Sequence, residues 1–106
     1  MALAENILQD MTGQIVRRFK PVRIILFGSQ AREDADQYSD VDLLVVLPDA
    51  IDRRQVTVEI RRALAGFPMA KDIIVTTPDE ITRRGNLVGT VLRSALQEGK
   101  VIYERA

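Results

Sequence analysis

Val22-Arg23-Ile24-Ile25-Leu26-Phe27-Gly28-Ser29 is followed, after ten residues, by Asp40-Val41-Asp42-Leu43-Leu44-Val45-Val46-Leu47. Each half is a short apolar run rich in β-branched residues, so each reads as a strand. The first run ends in a tiny residue and a hydroxyl. The second begins with two aspartates one residue apart. The spacing predicts strand, tight turn with a short helical segment over Gln30 to Asp34, loop over Asp36 to Ser39, and strand. The connection is long for a hairpin and suits a functional loop.

In a strand, alternate side chains share a face, so Asp40 and Asp42 project together with Cα atoms about 7 Å apart. Val41, Leu43 and Val45 then point the other way, into a helical layer. Two like charges this close are mutually unfavourable unless a cation sits between them. Gly28 admits a phosphate close to the backbone, and Ser29 offers a hydroxyl and an amide. If Gln30 opens a helix, its free amides face the same anion. Arg32 is the nearest cation for outer phosphates, ahead of Lys71 and Arg23. A Gly-Ser turn alone is most often only a turn, and an Asp-x-Asp alone is most often a cap. The specificity lies in their combination at a set distance.

Composition narrows the chemistry. The chain has 106 residues, with 46% hydrophobic and 28% charged. That suits one domain, residues 1–106, able to bury a core without staples. Lys plus Arg and Asp plus Glu are 15 each, so net charge is zero. No bulk attraction to nucleic acid or to an anionic membrane follows, and no direct nucleic-acid binding is expected. Cysteine and histidine are both absent. Disulfides, thiolate zinc sites, imidazole ligands and the commonest general base are thereby excluded. Acid–base and metal chemistry must run on carboxylates, which favours a hard cation such as magnesium. The first residues lack a basic region followed by an apolar core, and no apolar run approaches membrane-spanning length, so a cytoplasmic protein is expected.

The remainder supplies a frame. Leu3, Ile7, Met11, Ile15 and Phe19, with Leu8 and Val16 beside them, mark one face of an amphipathic helix that Pro21 stops. Asp52 to Leu64 is a second helix, with Val56, Ile60, Ala63 and Leu64 inward and Arg53, Arg54, Glu59, Arg61 and Arg62 on a solvated face. Gly66 and Pro68 end it. Lys71 to Thr76 is a third strand. Thr77-Pro78-Asp79-Glu80 carries the signs of a helix start, Thr as cap and Glu three residues on, and Gly85 breaks that helix near Arg84. Val88, Val91, Leu92, Ala95 and Leu96 have helical spacing up to a C-cap at Gly99. Val101 to Tyr103 closes the chain as a short strand. The order predicts an α+β domain, a small mixed sheet of three to four strands with helices on one face. Asp72 opens the third strand as Asp40 and Asp42 open the second. If those strands are neighbours, three carboxylates converge, and two metal ions about 4 Å apart could clamp the attacking and leaving oxygens of an in-line displacement. Asp72 is then placed to take a proton from an incoming hydroxyl.

Gly28-Ser29, a ten-residue gap and Asp40-Val41-Asp42 resemble the signature of the DNA polymerase beta-type nucleotidyltransferase superfamily. The wider context, from Ile25 to Arg32 and from Ser39 to Val45, is similar to the minimal nucleotidyltransferases (MNT), as is the ending Val91 to Glu104. The resemblance covers nearly the whole chain. It implies the nucleotidyltransferase fold, and transfer of a nucleoside monophosphate from a nucleoside triphosphate, ATP, to a hydroxyl with Mg2+. By position Asp40, Asp42 and Asp72 match the metal-binding and catalytic acids. Gly28 and Ser29 match the triphosphate-holding turn, with Gln30 and Arg32 beside it. Gln30, Glu33 and Asp36-Gln37 depart from the pattern and add negative charge there. Many minimal members are antitoxins partnered with HEPN toxins, in hetero-oligomers, and adenylylate a toxin tyrosine. That reading stands against two others. One is an antitoxin that neutralises by binding alone. The other is a small-molecule nucleotidyltransferase, which usually carries a second domain.

Overall fold

The computed structural model describes residues 5–28, 41–48, 52–67, 69–84 and 91–105. Its elements run α1 (Glu5–Phe19), β1 (Arg23–Phe27), β2 (Val41–Val46), α2 (Arg53–Ala63), β3 (Lys71–Thr76), α3 (Pro78–Arg84), α4 (Val91–Glu98) and β4 (Lys100–Glu104). The expected short helix over Gln30 to Asp34 lies outside the described residues.

The four strands form one sheet in the order β3-β2-β1-β4. β1 pairs antiparallel with both β2 and β4, and β2 pairs parallel with β3. The parallel pair is possible because α2 carries the chain back across the sheet between those strands. The β1–β4 register slips between Ile24 and Ile25, a bulge at the edge of the sheet.

The apolar periodicity explains which side of each helix is buried. Met11 and Ile15 of α1 and Ile60 of α2, with Leu64 beyond its end, pack on the sheet face formed by Ile24, Leu26, Val41, Leu43, Val45, Ile73 and Val75. The expectation of helices on one face needs correction. Ile25, Leu44 and Val46 form a second core with Ala95 of α4, flanked by Phe27, Ile74, Ile81 and Leu96. Helices therefore cover both faces. The sign of this in the sequence is the unbroken run Leu43-Leu44-Val45-Val46, since a strand wetted on one side alternates apolar and polar residues.

Local chemistry sets the boundaries. α1 ends at Lys20, whose φ of 50 is left-handed and whose amide reaches the Val16 carbonyl at 3.1 Å. Pro21 then prevents continuation. Asp52 caps α2, its carboxylate accepting from the Gln55 amide at 3.2 Å. Thr77 caps α3, accepting from the Glu80 amide at 3.2 Å. The Glu80 carboxylate accepts from the hydroxyl of fully buried Thr76 and pairs with Arg53, tying α3 to the end of β3 and to α2. Gly99 joins α4 to β4 where a Cβ would lie 2.4 Å from Ile25 Cγ2, so space, not a left-handed φ, requires glycine there. No helix among the described residues is long and apolar enough to cross a membrane.

Candidate active site

Three chain segments meet at one end of the sheet. β1 runs into this end, while β2 and β3 start from it. The β1–β2 register sets Phe27 opposite Asp42, which brings Gly28 to the first turn of β2. The β2–β3 register sets Asp42 directly beside Asp72. Residues paired this way in a parallel sheet lie about 5 Å apart with side chains on the same face. The third strand is thus the neighbour of the second, which the convergence of carboxylates requires.

Gly28 has φ +75, and a Cβ there would lie 2.2 Å from Asp42 Oδ2 and 3.1 Å from its Cγ. The missing side chain is therefore the space the Asp42 carboxylate occupies. Asp42 is half-buried and Asp72 exposed. Two carboxylates this close are mutually unfavourable by about 1–3 kcal/mol, over the span from bulk water to a protein surface. Arg61 of α2 offsets part of that. Its Nη2 lies 3.9 Å from Asp72 Oδ1, with 58% and 56% of the two side chains exposed. Such an exposed pair is weak and easily exchanged.

Ser29, Gln30, Arg32 and Asp40 lie outside the described residues. Of the two alternative cations, neither is aimed at the carboxylates. Arg23 sits opposite Val46 at the far end of β1 and pairs with Glu104 at 3.1 Å. Lys71 Nζ donates to the carbonyls of Phe67 and Met69 at 2.6 and 2.8 Å, closing the turn before β3. Burial holds its ammonium below the usual lysine range. Arg61 is the cation that sequence reasoning missed. It belongs to the helix face read as solvated, and only the α2–β3 turn brings it to Asp72.

The residues present fit a hard divalent cation. The described donors are the carboxylate oxygens of Asp42 and Asp72, and the chain contains neither histidine nor cysteine to offer a softer ligand. Among the described residues no group of three acidic, histidine or cysteine side chains meets, and the pair is Asp42 with Asp72.

Similarities to known proteins bear on the family and the fold. A nucleotidyltransferase domain family model matches residues 11–102. A protein of Methanocaldococcus jannaschii named "Putative protein adenylyltransferase" is 32% identical over 110 residues, covering 97% of this chain and 74% of its own length. A crystal structure of a "putative nucleotidyltransferase" from Sulfolobus solfataricus superposes with a TM-score of 0.65 at 18% identity, over 94% of this chain and 79% of that one. A toxin–antitoxin crystal structure with AMP-PNP superposes with a TM-score of 0.58 at 24% identity, over 97% of this chain and 75% of that one.

Proposed function

The chain belongs to the nucleotidyltransferase domain family, and from that premise we propose that it is a magnesium-dependent protein adenylyltransferase and an antitoxin. It moves AMP from ATP onto a hydroxyl, a tyrosine by the family resemblance, of a partner toxin of HEPN type. The observation that carries the reading is the juxtaposition of Asp42 and Asp72 beside a glycine whose absent side chain makes room for one of them. The relative named as a protein adenylyltransferase and the likeness to a toxin–antitoxin pair with AMP-PNP support it.

In this reading Gly28 and the following Ser29 hold the triphosphate against the end of β1, with Gln30 and Arg32 beside it. Asp40, Asp42 and Asp72 hold Mg2+, which supplies charge neutralisation for the phosphates and for the leaving pyrophosphate. The acceptor oxygen forms a bond to the α-phosphorus, and the bond from that phosphorus to the β-bridging oxygen breaks. Pyrophosphate departs with the bridging oxygen. Asp72, the more exposed carboxylate, takes the hydroxyl proton.

The test is incubation of the chain with α-labelled ATP, magnesium and the product of the neighbouring gene. Label should appear on that protein and fall at least about a hundredfold with Asp42→Ala. An unlabelled partner with the parent chain rejects the reading. Protection of cells by a double Asp40→Ala, Asp42→Ala variant would instead assign neutralisation to binding.

A further inference from the structure

The outermost line of α2 is Arg54, Val58, Arg61 and Arg62. Val56 and Ile60 of this helix, with Leu64 beyond it, pack toward the sheet. At about 100° per residue, position 58 lies opposite their mean direction, with 54 and 61 to one side and 62 to the other. All of these outer residues are exposed, and Val58 keeps 42% of its surface in solvent.

An ordinary solvated helix face mixes charges three and four residues apart. Here neither Arg54 nor Arg61 has a carboxylate at those offsets, and Glu59 stands only before Arg62, on the flank. A chain whose acids and bases number 15 each has therefore placed three guanidinium groups around one exposed apolar side chain. From 54 to 61 the ridge is about 10 Å long. It ends at the carboxylates, because Arg61 Nη2 reaches Asp72 Oδ1 at 3.9 Å.

The geometry points to the Arg54–Val58–Arg61–Arg62 ridge as the surface on which the acceptor protein docks, through a patch of carboxylates around an apolar residue beside its acceptor hydroxyl. This rests on the proposed protein adenylylation. A triphosphate needs neither this length nor an apolar centre. A nucleic acid has no use for Val58, and the chain's zero net charge does not favour one. Arginine around a central apolar contact is what protein interfaces enrich. Arg61 links the two sites, since a carboxylate from the acceptor competes with Asp72 for its guanidinium.

The experiment compares the parent, an Arg54→Glu/Arg62→Glu variant and an Arg54→Lys/Arg62→Lys variant, leaving Arg61 in place. The neighbouring gene's product is the acceptor, and transfer from labelled ATP is followed together with calorimetric binding. The reversed variant should raise KM for the acceptor roughly tenfold, with kcat and the KM for ATP within about twofold. The lysine variant should stay near the parent, and added salt should narrow the difference. An acceptor KM unmoved by charge reversal overturns the proposal, as does a loss confined to kcat or to ATP. A parent that binds the acceptor without transferring label rejects the adenylylation reading alone, and the ridge is then judged by the acceptor Kd of the reversed variant. A parent that neither binds nor transfers rejects both. Labelled single-stranded RNA that binds the parent and not the reversed variant, with acceptor affinity equal in the two, assigns the ridge to nucleic acid and overturns the proposal.

Discussion

The Cα of Gly28 faces the Asp42 carboxylate so closely that a methyl group on residue 28 would lie 2.2 Å from Oδ2. A turn residue at the end of one strand thus sets where an acid at the start of the next can stand.

Gly28→Ala should act on the site more than on the fold. The left-handed φ of +75 costs a non-glycine residue about 1–2 kcal/mol. The carboxylate must also swing away from the added methyl. Urea unfolding should show the modest loss, and Mn2+ titration should show at least about tenfold weaker binding. Parent-like Mn2+ affinity in a folded Gly28→Ala variant would contradict the placement of Asp42.

Asp72→Asn separates metal binding from stability. Its side chain is 56% exposed and its arginine contact spans 3.9 Å, so the substitution gives up a weak ion pair and relieves the repulsion from Asp42, and should leave the unfolding free energy unchanged or raise it by about 1–3 kcal/mol. Mn2+ affinity should fall about tenfold or more. Chelation by EDTA should stop label transfer by the parent. An Asp72→Asn variant that binds Mn2+ as the parent does removes this carboxylate from the site.

Leu43→Ala and Leu44→Ala test whether both sheet faces are covered. Both side chains are fully buried, one in each core. Each truncation should cost about 2–5 kcal/mol in chemical unfolding. A cheap Leu44→Ala would mean that the face carrying α4 is wet.

Lys71 gives a pH signature. Burial lowers the pKa of its ammonium from 10.5. Just below that value the unfolded chain holds the proton more tightly, so the lysine's contribution to stability rises with pH through that window and is lost as pH falls through the folded-state pKa. Lys71→Met should flatten this alkaline slope. It should also lower stability at neutral pH by about 1–3 kcal/mol, because two carbonyls lose their donor. An unchanged slope just below pH 10.5 would show that the amine is solvated.

Much of this was legible in residues 22 to 47. β-branched runs bounded by Gly28 and by the aspartates mark β1 and β2, and Thr77 with Glu80 marks the start of α3. Apolar spacing of four put Met11 and Ile15 in the core. Val41, Leu43 and Val45 alone satisfy an alternating pattern that one helical layer covers, whereas Leu44 and Val46 need a second layer to bury them. Ser29, Gln30, Arg32 and Asp40 remain part of the proposed site on the strength of sequence pattern and family resemblance.

The amino-acid sequence by itself determined the local chemistry: which runs extend, which coil, where a cap or a missing side chain ends them, and that only carboxylates were available for hard-cation chemistry. Short-range sterics and backbone hydrogen bonding decide those matters within a few neighbours. The tertiary structure alone decided that β3 lies parallel beside β2 in the register that sets Asp72 next to Asp42. It also decided that Arg61 reaches Asp72 while Arg23 and Lys71 are committed elsewhere. Strand pairing joins residues 30 positions apart, and its register follows from packing two apolar faces at once, which no local pattern records.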